Sequence, residues 1–248
     1  MLDMEVGQLI GFTMLQPNIS ASMSLPVLDN LRPRTATEQI YQALYDRVIN
    51  LTLAPGAKLS EAEVAAQMGV SRQPVRDAFY RLSQQVFIQI RPQRATVVTR
   101  ISEEAIRQAH FIREALEVAC IREAAIRLNA THHEALDDLL TQQEAALAAD
   151  DRGRFHALDD QFHYDICDYA EVEFVWTLVK DNKGHMDRAR YLSLSYNAAN
   201  ALNEHRVILS ALRQRDIDAA TAGVTQHLSR INETLERLRI EQPEMLGK

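Results

Sequence analysis

Apolar residues along the chain recur mainly at intervals of three and four. In "TATEQIYQALYDRVINLTLAPG" the positions Ile40, Leu44 and Val48 share one helical stripe. A capping-box spacing, Thr35 to Glu38, precedes the stripe, and Pro55-Gly56 closes it. "LSEAEVAAQMG" repeats the signal on a smaller scale, with Ser60 and Glu63 in front, Val64 and Met68 inside, and Gly69 suited to a left-handed cap. In "VSRQPVRDAF" Ser71 stands at a third helix start, Pro74 falls in the first turn where its missing N–H is tolerated, and Val75, Ala78, Phe79 and Leu82 point inward. Two short β-branched runs, "VFIQI" and "TVV", flank "RPQRA" and predict a hairpin. Residues 34–100 therefore read as a winged helix-turn-helix.

From "ISEEAIRQAHF" onward the pattern stays helical, with no run of period-two alternation. Breaks are expected near Asn129 to Thr131, Asp150 to Gly153, Ala170-Glu171, Asn197 to Asn200 and Arg215-Asp216. The prediction is a mainly α protein whose residues 101–240 form an all-α antiparallel bundle of about six helices, followed by a tail over 241–248. Residues 1–33 lack such patterning and read as a poorly ordered extension. Acidic Asp3 and Glu5 stand where a signal peptide would be basic.

Charge divides the chain at the same place. Residues 31–100 carry ten Lys/Arg against five Asp/Glu, while residues 101–248 carry seventeen against twenty-six. A basic front suits a polyanion, and an acidic rear does not. Arg72, Gln73 and Arg76 project outward from the first turns of the third helix, where free N–H groups and the helix dipole already favour an anion. Three long donors there make a reader of phosphates and base edges, with Arg91 and Arg94 at the wing tip. No apolar run approaches the roughly 18 residues of a membrane span. Cys120 and Cys167 lie among apolar helical neighbours, as reduced core thiols of a cytoplasmic protein would.

In the rear half, "ALDDQFH" stacks Asp159 and His163 on one helix face, and His205 and His227 belong to two later helices. Should those helices converge, one carboxylate and three imidazoles would suit a divalent ion of the Zn, Ni or Mn type with positions left open. A di-iron enzyme would need Glu-x-x-His pairs, which are absent, and His133-Glu134 is followed by Asp137 where a zinc protease needs histidine. A metal-dependent enzyme joined to a DNA-binding domain and an architectural DNA binder without an effector are the alternative readings.

The segment "LSEAEVAAQMGVSRQPVRDAFYRL…IRPQRATVV" resembles the GntR family of bacterial transcription regulators. The resemblance implies that Ser71, Arg72, Gln73 and Arg76 contact DNA, with Arg72 and Arg76 reading guanine. Gln73 and Ala95 stand where the family more often has Thr and Gly. "IREALEVACIREAA", "LDDQFHYDICDYA", "DRARYLSL", "NEHRVILSAL" and "TQHL" are similar to the FCD effector domain of the FadR-type branch. That resemblance implies a metal on Asp159, His163, His205 and His227, and an effector, a small carboxylate or sugar acid, on Arg113 and Arg188, with Arg190 as the neighbouring alternative. It departs at Glu171-Val172, where relatives have Gly-Asn or Gly-His. The implied protein is a homodimeric, ligand-responsive regulator, a repressor, that meets a short palindrome in double-stranded DNA. Its two halves would be coupled through Thr99 to Glu104.

Overall fold

The computed structural model of the chain describes residues 35–91 and 95–247. The expected N-terminal extension and Arg94 at the wing tip lie outside the described residues. The described residues belong to one compact unit.

Helix α1 (Ala36–Ile49) opens with the full capping box, Thr35 and Glu38 each satisfying the other's backbone N–H. Helix α2 (Glu61–Met68) starts on Ser60, whose hydroxyl accepts from the Glu63 N–H, and stops at Gly69 with φ 67°. Helix α3 (Arg72–Gln84) follows. Ile40, Val48, Val75, Phe79 and Leu82 fill the core between them. Each such side chain contributes roughly 1.5–3 kcal/mol by leaving water. Strands β2 (Ile88–Gln89) and β3 (Thr96–Val98) form the expected hairpin. A further strand, β1 (Lys58–Leu59), pairs with the other edge of β3, giving the order β1-β3-β2. Two residues carry no periodicity, so β1 left no mark in the sequence.

Ser71 occupies the N-cap of α3, but its hydroxyl makes no capping bond. A cap side chain reaches for the N–H of the second or third helical residue, and Pro74, at the third, has none. The proline therefore leaves the Ser71 hydroxyl free of its usual duty.

The rear half consists of α4 (Glu103–Arg127), α5 (Ala130–Ala148), α6 (Arg152–Tyr169), α7 (Phe174–Asn182), α8 (Gly184–Gln214) and α9 (Ile217–Glu241). The expected break at Asn197 to Asn200 does not occur, and α8 runs straight through it. Asn197 donates its side-chain amide to the Thr234 hydroxyl on α9 at 3.2 Å, and Ala198 and Leu202 are buried, so packing overrides the weak helix preference of asparagine. The break falls instead at Lys183. A Cβ on Gly184 would lie 2.3 Å from the end of the Phe87 ring and 3.2 Å from the Tyr45 hydroxyl, so a glycine is what lets the front half seat against the start of α8. Glu171 takes φ 61°, the left-handed conformation that glycine adopts freely, and its carboxylate pairs with Arg127 at 2.7 Å.

Thr99 and Arg100 lead from β3 into a short strand, β4 (Ile101–Ser102). Beyond α9 a 3-10 turn (Pro243–Met245) carries the chain back to β5 (Leu246–Gly247), which pairs in parallel with β4. Ile101 and Leu246 join Ile106, Met186, Ile231 and Leu238 in one apolar cluster.

Candidate functional site

Two regions carry chemistry. On α3 the outward side chains differ in how they are held. Arg76 reaches Glu61 at the start of α2, with Nε and Nη2 at 3.4 and 3.3 Å from one carboxylate oxygen. Gln73 donates to Asp77 at 2.9 Å. Arg72 makes no hydrogen bond or ion pair with the described residues and stands exposed one residue beyond the free Ser71 hydroxyl. In the wing, Arg91 donates to Gln89 at 2.9 and 2.6 Å. Ser71, Arg72, Gln73 and Arg76 thus share one helix start, and Arg91 lies on the β2 side of the hairpin.

The second region is inside the bundle. Ligand atoms of Asp159, His163, His205 and His227 all lie within 4.8 Å of one another, and all four residues are buried. The Nε2 of His227 is 3.2 Å from that of His163 and 3.4 Å from that of His205. An oxygen acceptor sits behind each ring. His163 Nδ1 lies 2.6 Å from Glu117, His227 Nδ1 3.0 Å from Glu204, and His205 Nδ1 2.9 Å from the Gln143 side-chain oxygen. The Gln143 amide is oriented by donating its NH2 to the Leu158 carbonyl at 3.0 Å. With Nδ1 protonated on every ring, three bare Nε2 lone pairs face a common point beside a carboxylate.

Burial, reinforced by the neighbouring imidazole, holds His205 well below its ordinary pKa; burial lowers His227 as well. Burial would raise the Asp159 carboxyl, but Arg190 and His205 outweigh it and hold it well below the usual range. Burial likewise opposes ionisation of Glu117, and Arg113 and His163 overcome it. Neutral imidazoles facing each other lone pair to lone pair repel, and a cation among them turns that repulsion into ligation. The donor set fits a divalent ion, with the acceptors behind each ring fixing its tautomer.

A cavity of about 60 Å3 adjoins this cluster, bordered by Arg113, Asp159, Arg190, Asn197, His227 and Thr234 among others. Arg113 is buried, and its Nε donates to Glu117 at 2.6 Å while Nη2 has no partner among the described residues. Arg188, the other expected effector ligand, does not reach the cavity. Its Nη2 donates to the Thr99 carbonyl at 2.7 Å and its Nη1 approaches the Arg100 carbonyl at 3.5 Å. Two positions further along α8, the helical turn brings Arg190 inward instead, where it binds Asp159 and lies 3.1 Å from Asp187. Glu117, Gln143 and Glu204 escaped the sequence reading as parts of this site, and Arg190 entered it only as the alternative to Arg188. Glu117 had a signal in its four-residue spacing from Arg113, and Gln143 had none.

Residues 36–98 match the family model "Bacterial regulatory proteins, gntR family", and residues 108–230 match the FCD domain. The HTH-type transcriptional repressor RspR of Escherichia coli K12 is 38% identical over 213 residues, spanning 85% of this chain and 93% of that protein. The chain belongs to the gntR family of bacterial regulatory proteins. Another relative, an HTH-type transcriptional regulator in an unstable DNA locus of Streptomyces ambofaciens, is 37% identical over 217 residues, 86% of this chain and 91% of its own length. The solved structure of E. coli McbR/YncC superposes with a TM-score of 0.70 at 20% identity, over 83% of this chain and 99% of that one, a likeness of fold. This gntR-family member is a DNA-binding transcription regulator with an FCD domain, and its relatives are regulators rather than enzymes. Among the described residues no helix is long and apolar enough to cross a membrane.

Proposed function

We propose that the protein is a cytoplasmic, homodimeric repressor whose affinity for a palindromic operator is set by a small acid bound in the cavity of the bundle. The observation that carries this reading is the pairing of two unmet needs at one place: three converging imidazole lone pairs, and beside them the partnerless Nη2 of buried Arg113. A buried donor without an acceptor is costly, and a carboxylate meets that need in a charge-assisted bond. Asp159, His163, His205 and His227 would hold a divalent ion of the Zn, Ni or Mn type, which supplies Lewis-acid attraction for a second oxygen of the same ligand. Arg113 orients the carboxylate, and Asn197 and Thr234 offer polar contacts to hydroxyl groups further along a hydroxy or sugar acid. An architectural DNA binder would leave both features without a task.

At the other end, Arg72, Gln73 and Arg76 would enter the major groove, with Ser71 on a phosphate at the helix start and the wing arginines Arg91 and Arg94 on the flanking backbone. Two copies related by a two-fold axis match two half-sites. A thermal-shift screen of zinc and small acids, with and without chelator, tests the cavity. Zinc at a hundred times its dissociation constant should add about 2.7 kcal/mol of stability to the native chain, and His205→Ala should abolish the shift. An unchanged shift in that variant would remove the imidazole cluster from the reading.

A further inference from the structure

Arg188 is fully buried, yet no acidic side chain among the described residues accepts from it. Its hydrogen bonds go to the carbonyls of Thr99 and Arg100, and its Nε has no partner. Burial pushes its guanidinium down to about 10. A cation taken out of water for two backbone oxygens is an expensive way to join two segments. What it joins explains the choice. The Thr99 hydroxyl donates to the carbonyls of Val86 and Phe87, at 2.5 and 3.1 Å. Val86 follows directly on the reading helix α3 and its cap residue, and it is held at φ 63°, a conformation that a β-branched residue rarely adopts. Two hydrogen bonds thus lead from Arg188 to the end of the helix that presents Arg72.

The same two turns of α8 face the cavity. Met186 contacts Arg113 through its sulfur at 3.5 Å, Asp187 pairs with Lys183, and Arg190 binds Asp159. One turn earlier, His185 stacks on Phe87 with ring centres 4.9 Å apart and accepts from the Ser102 N–H at 3.2 Å. Strand β5 covers the other side of β4. Resting on the cavity reading above, we infer that Arg188 is a positioning residue that ties the Thr99–Ser102 segment to α8 and carries changes at Asp159 and Arg190 to the reading helix. It is not an effector ligand.

The test is a double-mutant cycle read by amide hydrogen exchange at Ile101 and Ser102, on the full chain without any ligand. Asp159→Asn loosens Arg190 from below. In an otherwise unaltered chain it should speed exchange at Ser102 by about tenfold, and in an Arg188→Met background by less than about twofold. Should Arg188→Met fail to fold, Arg188→Lys, which keeps the charge but cannot span both carbonyls, takes its place in the cycle. Equal acceleration in both backgrounds, or none in either, would overturn the coupling. Because no metal or acid enters the cycle, its outcome is separate from whether zinc stabilises the protein, which bears on the cavity alone.

Discussion

The arginines of the front half and those of the rear half are the same residue put to opposite uses. Arg72 stands in solvent with no described partner, so its bonding capacity is held open for something outside the chain. Arg113 and the half-buried Arg190 pair with carboxylates and Arg188 with carbonyls, so most of what they bind lies within the fold, and only Nη2 of Arg113 and Nε of Arg188 are left unmet among the described residues. A surface built to read DNA can lose a side chain and keep its shape. A buried charge network cannot, because each member removed leaves another unpaired.

The largest expected effect follows from that difference. Arg113→Met leaves Glu117 with only His163 to answer its charge, and urea unfolding should show a loss of about 3–5 kcal/mol. A loss below about 1 kcal/mol would mean that the network is far more solvated than its geometry implies.

Acid comes next. His185 is buried and held near pKa about 4 against an ordinary 6.5, so the unfolded chain takes up a proton at this site before the folded one does. Stability should therefore be flat above about pH 7 and fall as pH drops from about 6.5 to about 4, by about 3 kcal/mol from this site. His205 and His227 are shifted in the same direction. Comparing His185→Gln with the unaltered chain across this range isolates the share of His185; parallel curves would show that the seam beside Phe87 does not sense acid.

Arg72→Ala should cost about 1–3 kcal/mol of affinity for an operator selected from random DNA, while urea unfolding of the protein changes by less than about 0.5 kcal/mol. The smallest contrast sets two serines side by side. Ser60→Ala removes a working cap and should cost about 1 kcal/mol of stability. Ser71→Ala removes a hydroxyl that caps nothing, so its stability change should stay within about 0.5 kcal/mol and its effect should appear in DNA affinity.

How much of this was legible in the sequence follows the same divide. The front domain could be read almost element by element, because caps such as Thr35 and Ser60 and stripes such as Ile40, Leu44 and Val48 are local signals. In the bundle, Asp159 and His163 announced themselves by spacing, but their convergence with His205 and His227 depends on how three helices cross. Arg188 and Arg190 show the limit most clearly. Two residues apart on a helix differ by more than half a turn in direction, and a motif match assigns the cavity to one of them without knowing the rotation of α8. The uninterrupted passage of α8 through Asn197 was hidden for a related reason: the partner that stabilises it, Thr234, lies on another helix.

Pairing of β4 with β5 also has a consequence in time. Ile101 emerges from the ribosome before the bundle exists, while its strand partner Leu246 is made 145 residues later. At about 5–20 residues per second, the delay is roughly seven to thirty seconds. The core of the winged head ends at Val98, but its contacts with α8, through Phe87 and Thr99, can form only once residues 184–188 have been made. The direction of the head is thus settled only after α8 and then β5 have been made, well after the head's own residues.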